Sequence, residues 1–345
     1  MSAADPLSRT AVEAADPAGM IGDVLAQPAQ LADAVWRAES AGFPRADLPG
    51  GLVVAGMGGS AVGGDLAAAA LAGRAERPVR TIRGYELDPW VGPETLVLCA
   101  SYSGDTEETL ACFEAAGAAG AQRAVVTTGG ALGEAARAAG VPVMGAPGAF
   151  QPRAAVVYMT VAALEAAAAC GAAPQVRGEV EGAAALLGEL TAEWDPDAPA
   201  DSEAKRLALA LHGTVPVVQG AGATAAVAVR WKTQFNENAS MPAFASELPE
   251  ADHNEVCGFA PPLAAVFLDD PGLDDRLRRR IELTAELLAP AATAVERIEA
   301  RGDTPFERTM SLVLLGDLVS VYLAVLAGED PTPVPRIDQL KERLG

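Results

Sequence analysis

The chain has 345 residues, half of them hydrophobic, and its 46 acidic and 25 basic residues give a net charge of −21. This length exceeds one ordinary hydrophobic core and predicts two domains of roughly 150 residues each. Nucleic acids and anionic membrane surfaces bind proteins through basic patches, so the acidic balance excludes both as expected partners.

The cysteines and the apolar segments predict a cytoplasmic protein. No CxxC or other metal-ligand spacing occurs, and we expect buried thiols in a reducing compartment. The first 20 residues are acidic and lack an apolar run, so no secretory signal is predicted. An alanine-rich stretch from Ala154 is as long as a membrane span, but alanine inserts weakly and Glu165 lies within it. A buried core helix is therefore expected there. The cysteines are Cys99, Cys112, Cys170 and Cys257.

Secondary-structure patterns in chain order predict an α/β architecture. Residues 1–50 have a helical composition and are expected to pack on the first domain. Over residues 51–153, short β-branched runs alternate with glycine-rich turns and helical stretches, which predicts a parallel sheet covered on both faces. Residues 154–212 are expected to be connecting helices, with an exposed loop at EWDPDAPADS. The strand–loop–helix pattern resumes over residues 213–345, the expected second domain with its C-terminal helix.

One strand–turn–helix segment recurs along the chain. VVAGMGGSAV begins at Val53, and VVQGAGATAA begins 164 residues later at Val217. Both have a strand, a G-x-G turn, a hydroxyl residue and a helix start in the same order. This repeat predicts two similar α/β domains in tandem.

The first glycine motif, GMGGSAVGGD from Gly56 to Asp65, follows a buried strand and opens a helix. Backbone amides at a helix start bind anions when no side chain is in the way, and Ser60 adds a hydroxyl. A dinucleotide site is an alternative, but it requires an acid at the end of the next strand, where this chain has Arg83. A purely structural turn is the other alternative.

The second motif, SYSGDTEET, places three hydroxyl residues around one glycine where a helix begins. Neutral hydroxyl donors and the positive potential of a helix N-terminus form a phosphate site that needs neither lysine nor Mg²⁺. Ordinary helix capping by Ser103 or Thr106 is the simpler alternative. No Walker lysine follows either motif, which argues against nucleotide hydrolysis. The three hydroxyl residues are Ser101, Ser103 and Thr106.

Three further side chains suggest proton-transfer chemistry. Arg153 follows Pro152 at the start of a helix, where it is either a surface arginine or a cation placed near a sugar phosphate or an enediolate. Glu237 lies between two asparagines near a predicted helix end, and His253 follows sixteen residues later. A carboxylate base and a histidine at one sugar suit aldose–ketose isomerisation, whereas a helix-end acid and a surface histidine are the alternative.

Taken together, these motifs resemble the bifunctional phosphoglucose/phosphomannose isomerases of the sugar isomerase (SIS) domain superfamily. The matching pieces are GMGGSAVGGD, SYSGDTEET, QPRA, NENASMPAF and HNE, and the C-terminal IDQLK also looks like that family's ending. The glutamate–histidine spacing is the specific part. The resemblance implies two tandem SIS domains, each a parallel five-stranded sheet flanked by helices. It also implies a homodimer that interconverts glucose 6-phosphate or mannose 6-phosphate with fructose 6-phosphate, without a metal or other cofactor.

The resemblance also implies a role for each matching residue. Glu237 would carry the proton, Arg153 would stabilise the enediolate, and Lys341 would touch the substrate. His253 would open the sugar ring from the neighbouring subunit. The residues that would hold the phosphate are Gly59, Ser60, Ser101, Ser103 and Thr106.

One departure from the family concerns Asp105, because family members commonly carry asparagine at this position. A carboxylate beside a phosphate site repels a dianion unless it points away. A non-catalytic SIS module that senses a sugar phosphate is the main alternative, and Glu237 and His253 separate the two functions because a sensor needs neither. A dinucleotide-dependent oxidoreductase would leave SYSGDT without a role. An amidotransferase would need a glutamine-hydrolysing domain, for which the chain has no N-terminal nucleophile cysteine.

Overall fold

The computed structural model describes residues 5–344; residues 1–4 and 345, which belong to the predicted terminal segments, lie outside the described residues. Up to residue 194 the helices and strands are α1 (Arg9–Ala15), α2 (Met20–Leu25), α3 (Gln27–Ala41), β1 (Gly51–Gly56), α4 (Gly58–Ala70), β2 (Val79–Ile82), β3 (Thr95–Ala100), α5 (Glu107–Ala118), β4 (Gln122–Thr127), α6 (Gly130–Ala138), β5 (Val143–Gly145), α7 (Val156–Ala169) and α8 (Arg177–Trp194). The later elements are α9 (Glu203–Leu211), β6 (Val215–Ala221), α10 (Ala223–Asn238), β7 (Phe244–Leu248), β8 (Leu263–Asp269), α11 (Asp275–Leu288), β9 (Val295–Glu299), α12 (Pro305–Ala327) and α13 (Pro335–Leu344). Short 3-10 helices cover Pro152–Ala155, Glu250–His253 and Glu255–Gly258.

The described chain forms two compact units. Residues 27–185 and 304–307 make up the β1–β5 unit, which contains the first sheet. Residues 5–26, 186–303 and 308–344 make up the β6–β9 unit, which contains the second sheet.

The first sheet has five parallel strands in the order β2-β1-β3-β4-β5, as predicted. Every residue of β1 and β3 is buried, since these apolar, β-branched runs lie at the centre of the sheet with helices on both faces. Phe113 of α5 packs with Val53 and Val97 on one face. On the other face α4 approaches β1 closely, because a Cβ on Gly64 would lie 2.9 Å from the Cβ of Val54.

The second sheet has four parallel strands among the described residues, in the order β7-β6-β8-β9. The prediction of a second five-stranded sheet is not met. After β4 the chain forms α6 and the edge strand β5, whereas after β9 it enters the long apolar helix α12 directly. The repeat predicted from the sequence does match the structure: β1–α4 and β6–α10 are equivalent, and each of these strands lies between an edge strand and the next central strand.

The alanine-rich stretch from Ala154 forms a core helix, as predicted: all but one of the 14 residues of α7 are buried. Among the described residues one helix, α12, is long and apolar enough to cross a membrane, but 83% of its most apolar window is buried inside the protein. Three of the four cysteines are buried, and burial raises the pKa of the Cys99 thiol. Cys257 is exposed, so the prediction of a buried thiol is wrong there because its short 3-10 helix has no buried residue.

Candidate active site

The two predicted phosphate motifs lie side by side at the carboxyl edge of the first sheet. GMGGS follows β1 and SYSGDT follows β3, and these strands are direct neighbours. The chain leaves β1 toward β2 on one side of the sheet, while β3, β4 and β5 continue on the other side. Such a reversal of strand order opens a crevice between the two loops, and ligands of open α/β sheets bind there.

The first loop presents a helix N-terminus with little side-chain cover. Helix α4 starts at Gly58, whose φ of 49° lies in the left-handed region that glycine adopts without strain. The first amides of a helix have no partner within it and attract anions. Ser60 is buried, and its Oγ accepts a hydrogen bond of 3.2 Å from the amide of Tyr102. This bond joins the two loops and leaves the Ser60 hydroxyl hydrogen to donate.

The serine hydroxyls of the loop after β3 also accept hydrogen bonds from backbone amides. Ser101 Oγ accepts from the amide of Gly104 at 3.0 Å and lies 2.8 Å from Thr106 Oγ1. Ser103 Oγ accepts from the amide of Asp105 at 3.2 Å. Because each serine oxygen accepts from the backbone, its hydroxyl hydrogen is not used in that bond, and the Ser101–Thr106 pair keeps one of its two hydrogens to donate elsewhere.

The capping alternative for the second loop is not favoured by the geometry. Thr106 does occupy the position just before α5, but in the described chain its side chain makes no capping hydrogen bond and contacts Ser101 instead.

Asp105, the acidic residue at which the chain departs from the family, is hydrogen-bonded to the start of a neighbouring helix. Its Oδ1 accepts a hydrogen bond of 2.9 Å from the amide of Ala131 in the first turn of α6. The N-terminus of α6 therefore stabilises the carboxylate.

Arg153 lies next to the phosphate loops. It is 3% exposed in the 3-10 helix Pro152–Ala155, so it is a placed cation and not a surface arginine. A Cβ on Gly59 would lie 3.1 Å from the carbonyl oxygen of Pro152 and 3.2 Å from the Cα of Arg153. A Cβ at residue 59 would push this segment away by a few tenths of an ångström, so glycine suits the contact that brings the arginine backbone against the first turn of α4.

The residue that follows β2 argues against the alternative of a dinucleotide site. Arg83, which follows that strand, forms an ion pair with Asp65 of α4. The position that would need an acidic residue for a ribose therefore holds a cation paired with the protein's own carboxylate.

Glu237 lies in the last turn of α10, half-buried, near the helix end predicted from the sequence. Its two asparagine neighbours fix the helix end. Asn236 Nδ2 donates to the carbonyl oxygen of Met241 at 2.9 Å, and Asn238 Nδ2 donates to Ser320 Oγ of α12 at 2.8 Å.

Two further contacts anchor the same helix on α12. Arg230 forms a fully buried ion pair of 2.6 Å with Asp317. Trp231 Nε1 donates to the carbonyl oxygen of Leu312 at 2.8 Å. Glu237 therefore projects from a rigid helix whose position is set by buried polar contacts, which is what a positioned base requires.

His253 is exposed and lies at the opposite end of β7 from Glu237. Because β6 and β7 are parallel, α10 carries the chain from the carboxyl end of β6 to the amino end of β7. Glu237 therefore lies near the amino end of β7, whereas His253 follows its carboxyl end. The strand between them has five residues and spans roughly 16 Å. Within one chain, the structure does not bring these two side chains together.

The predicted site residues thus fall into groups within their own units. The β1–β5 unit brings Arg153 and all five phosphate-loop residues to one crevice. In the β6–β9 unit, Lys341 is exposed on α13, a helix with no buried residue, while Glu237 and His253 occupy the two ends of β7. The motif spacing did not single out Tyr102, whose amide connects the two loops; its only sequence signal is a tyrosine between two serines.

Comparison with known proteins identifies the fold class and the family of the chain. The family model of the bacterial phospho-glucose isomerase C-terminal SIS domain matches residues 200–344. Among solved structures, tagatose-6-phosphate ketose/aldose isomerase from Escherichia coli has a similar fold, with a TM-score of 0.69 and 14% identity over 90% of this chain and 94% of that chain. The fold and the matched model define an α/β chain of the SIS-domain class.

Relatives with similar sequences show to which family of this class the chain belongs. A bifunctional phosphoglucose/phosphomannose isomerase from Caldicellulosiruptor bescii is 37% identical over 301 residues, covering 85% of this chain and 89% of that protein. The protein of the same description from Aquifex aeolicus is 34% identical over 300 residues, covering 85% of this chain and 90% of that protein. The chain belongs to the bifunctional phosphoglucose/phosphomannose isomerase family.

Proposed function

We propose that the protein interconverts glucose 6-phosphate or mannose 6-phosphate with fructose 6-phosphate through a cis-enediol, without a metal. From aldose to ketose, the C2 proton moves to C1 and the O2 proton moves to O1, so no atom is gained or lost. The observation that carries the proposal is the pair of adjoining loops whose hydroxyls and helix N-terminus lie beside the segment of the buried Arg153. Neutral donors suit the phosphate, and the guanidinium suits the negative charge that develops on the enediolate.

Each residue has a proposed role. The phosphate is held by Gly59, Ser60, Ser101, Ser103 and Thr106. Glu237 is the base that carries the proton between C1 and C2, and Arg153 stabilises the enediolate. Lys341 contacts the substrate from α13. The cytoplasm is the proposed compartment, in keeping with four free cysteines.

His253 is proposed to open the sugar ring in the site of the neighbouring subunit of a homodimer. Two observations support this assignment: the imidazole is exposed in the single chain, and it lies beyond the opposite end of β7 from Glu237. A second copy of the chain supplies the histidine that one chain alone does not bring to its own Glu237. Activity then requires the dimer.

Mixing two inactive variants tests the shared site. Glu237→Gln and His253→Ala homodimers are combined, exchanged by mild denaturation and refolding, and assayed for isomerisation. A mixed dimer then has one intact site and one site lacking both groups, so the mixture should recover about a quarter of the wild-type activity when half of the dimers are mixed. No recovery, although exchange is complete by mass spectrometry, would contradict the shared site. His212→Ala, which changes the other exposed histidine, is the matched control and should stay active.

Proton exchange tests the reaction itself. Purified protein is incubated with fructose 6-phosphate in D₂O containing EDTA and followed by NMR. Deuterium at C2 of newly formed glucose 6-phosphate or mannose 6-phosphate would establish metal-free isomerisation, and the product ratio would identify the preferred aldose. Binding of fructose 6-phosphate without exchange would favour the alternative, a non-catalytic sugar-phosphate sensor.

A further inference from the structure

Tyr102 links three segments around the proposed phosphate site. Its amide donates to Ser60 Oγ, and its carbonyl oxygen accepts from both the amide and the hydroxyl of Thr128 at 3.0 and 2.9 Å. Its side chain is 8% exposed and reaches a third segment. The phenol donates to the carbonyl oxygen of Pro147 at 2.9 Å and accepts from the amide of Phe150 at 2.9 Å. One hydroxyl therefore bonds to both ends of the loop 147–150.

That loop has a conformation that its sequence does not favour. Ala149 has a φ of 80°, in the left-handed region where a residue with a Cβ is strained by roughly 1–2 kcal/mol. Strained backbone persists only where surrounding contacts hold it, and such positions cluster at functional sites. The bonds from Tyr102 flank Ala149 directly. The ring of Phe150 also packs against Tyr158, with centroids 6.1 Å apart.

The held loop leads straight into Arg153. Two residues separate Phe150 from the arginine, and the segment Pro152–Arg153 rests against Gly59 of the loop after β1. The position of the guanidinium thus depends on where the loop 147–150 is fixed. Tyr102 belongs to the second phosphate loop, so its hydroxyl fixes the arginine segment relative to the loops that hold the phosphate.

We propose that Tyr102 is a positioning residue that sets Arg153 against the phosphate site through its hydrogen bonds to the strained loop 147–150. This inference rests on the proposed isomerase function. Tyr102 touches no reacting atom in this role. Its removal should lower the rate of the chemical step and leave phosphate binding intact, because the backbone bonds that orient the serines do not involve the phenol.

Steady-state kinetics of Tyr102→Phe test whether the rate of the chemical step falls while phosphate binding is retained. The variant keeps the ring and loses only the hydroxyl. We expect kcat to fall about 10- to 100-fold, the cost of misplacing a catalytic group by the order of 1 Å. The KM for fructose 6-phosphate and the inhibition constant of inorganic phosphate should change less than about threefold, since hydrogen bonds to the phosphate remain. Wild-type kcat, or a loss confined to KM, would overturn the proposal.

The matched control is Tyr158→Phe. Tyr158 also donates a hydrogen bond from its hydroxyl, to Asp33 Oδ2 at 3.0 Å, but this bond does not involve the loop 147–150. Its loss should leave kcat unchanged. An equal loss of kcat in both variants would show a general packing effect and overturn the role of Tyr102.

A double-mutant cycle with Ala149→Gly tests the strain directly. Glycine adopts a φ of 80° without penalty, so the loop needs the Tyr102 hydroxyl less when residue 149 is glycine. The loss of kcat caused by Tyr102→Phe should therefore shrink in the Ala149→Gly background. Losses that simply multiply, with no coupling between the two positions, would contradict the proposal.

Hydrogen exchange separates a failure of this inference from a failure of the proposed function, because it requires no turnover. Amide exchange at Phe150 and across residues 149–153 should be faster in Tyr102→Phe than in the wild type, and unchanged in Tyr158→Phe. Exchange that is equal in all three proteins would overturn the proposal whether or not the protein isomerises a sugar phosphate. Faster exchange in a protein without isomerase activity would confirm the loop contact and reject its link to catalysis.

Discussion

The loops after β1 and β3 differ from the equivalent loops after β6 and β8 in how their hydroxyl groups are used. Ser60 and Thr224 occupy equivalent positions 164 residues apart. Ser60 Oγ accepts from the amide of Tyr102 and keeps its hydrogen for a ligand. Thr224 Oγ1 accepts from the amide of Ala221 at 2.8 Å and donates to the carbonyl oxygen of Leu268 at 2.9 Å. The second hydroxyl is fully engaged within its own unit.

The acidic residues show the same difference. Asp269 ends β8 and Asp270 follows it, and both are buried, in the place where the first unit has Ser101 after β3. Asp269 is bonded to two arginines, and Asp270 forms an ion pair of 2.6 Å with Arg308. Buried carboxylates at this edge would repel a phosphate. The two copies of one α/β pattern have thus diverged: the second uses its polar groups in contacts within its own unit, whereas we propose that the first presents them to a ligand.

The largest effect is expected from Glu237→Gln. This variant tests whether the β6–β9 unit contributes a catalytic group and does not contribute to the affinity for fructose 6-phosphate. The amide keeps the shape of the side chain but accepts no proton at neutral pH. Turnover should fall about 10²- to 10⁴-fold, the usual contribution of a general base, while the dissociation constant of fructose 6-phosphate stays within about threefold. Steady-state kinetics and calorimetric titration measure the two quantities. Glu247→Gln, an exposed acid on β7, is the control and should keep its turnover. A Glu237 variant that retains most of its turnover would reject the base assignment.

The next largest effect is expected from Asp270→Ala. If the loops after β6 and β8 do not bind phosphate, Asp270 serves only the stability of the fold. Removing it leaves Arg308, whose side chain is 14% exposed, without its carboxylate, and the free energy of unfolding should fall by about 3 kcal/mol. Denaturant unfolding measures the change. Asp275→Asn, an exposed acid in the first turn of α11, should cost less than about 1 kcal/mol. A stable Asp270 variant with a changed affinity for fructose 6-phosphate would show that the loops after β6 and β8 also take part in binding. It would contradict the difference drawn between them and the loops after β1 and β3.

A smaller effect is expected from Ser103→Ala in the first unit. The alanine removes one exposed donor to the phosphate, and a hydrogen bond to a charged group contributes about 1.5–3 kcal/mol, so the dissociation constant of fructose 6-phosphate should rise about tenfold or more. The free energy of unfolding should change little because the side chain is exposed. Ser40→Ala on α3 removes another exposed serine hydroxyl and should leave affinity unchanged. Unchanged affinity in the Ser103 variant would remove that residue from the phosphate site.

Sequence patterns predicted the positions of the loops after β1 and β3 well because strand, turn and helix signals are local. Phosphate binding by these loops stays a prediction. A buried strand, a glycine turn and a helix start determine where the amides and hydroxyls lie, so the placement of Ser60 and Ser101 in neighbouring loops could be predicted from spacing alone. The contact of Arg153 with Gly59 could not be predicted, since it joins residues 94 positions apart. The four-stranded form of the second sheet, as seen over residues 5–344, could not be predicted either, because the sequence repeat covers only its strand β6 and helix α10.

The smallest expected effect is a pH dependence of stability at Asp269. Burial by itself would raise the pKa of this carboxyl, but hydrogen bonds from Arg278 and Arg297 outweigh burial and lower it. The folded protein then binds this proton less readily than the unfolded chain, whose aspartates titrate near pH 3.9. The stabilisation is fully present above that pH and is lost as the pH falls through the lower, folded-state value. The difference in unfolding free energy between the wild type and Asp269→Asn should therefore be constant near pH 6 and shrink below about pH 4.

Salt distinguishes this buried carboxyl from an exposed one on the same loop. The Arg276 side chain and amide lower the pKa of Asp274 to about 2, but this pair lies in solvent. At an ionic strength of 1 M the screening length falls to about 3 Å, so the pH-dependent difference between the wild type and Asp274→Asn should shrink. The difference for Asp269→Asn should persist, because its carboxylate is fully buried between Arg278 and Arg297. If salt abolishes both differences equally, the internal use of acids at the end of β8 is not what stabilises the second unit.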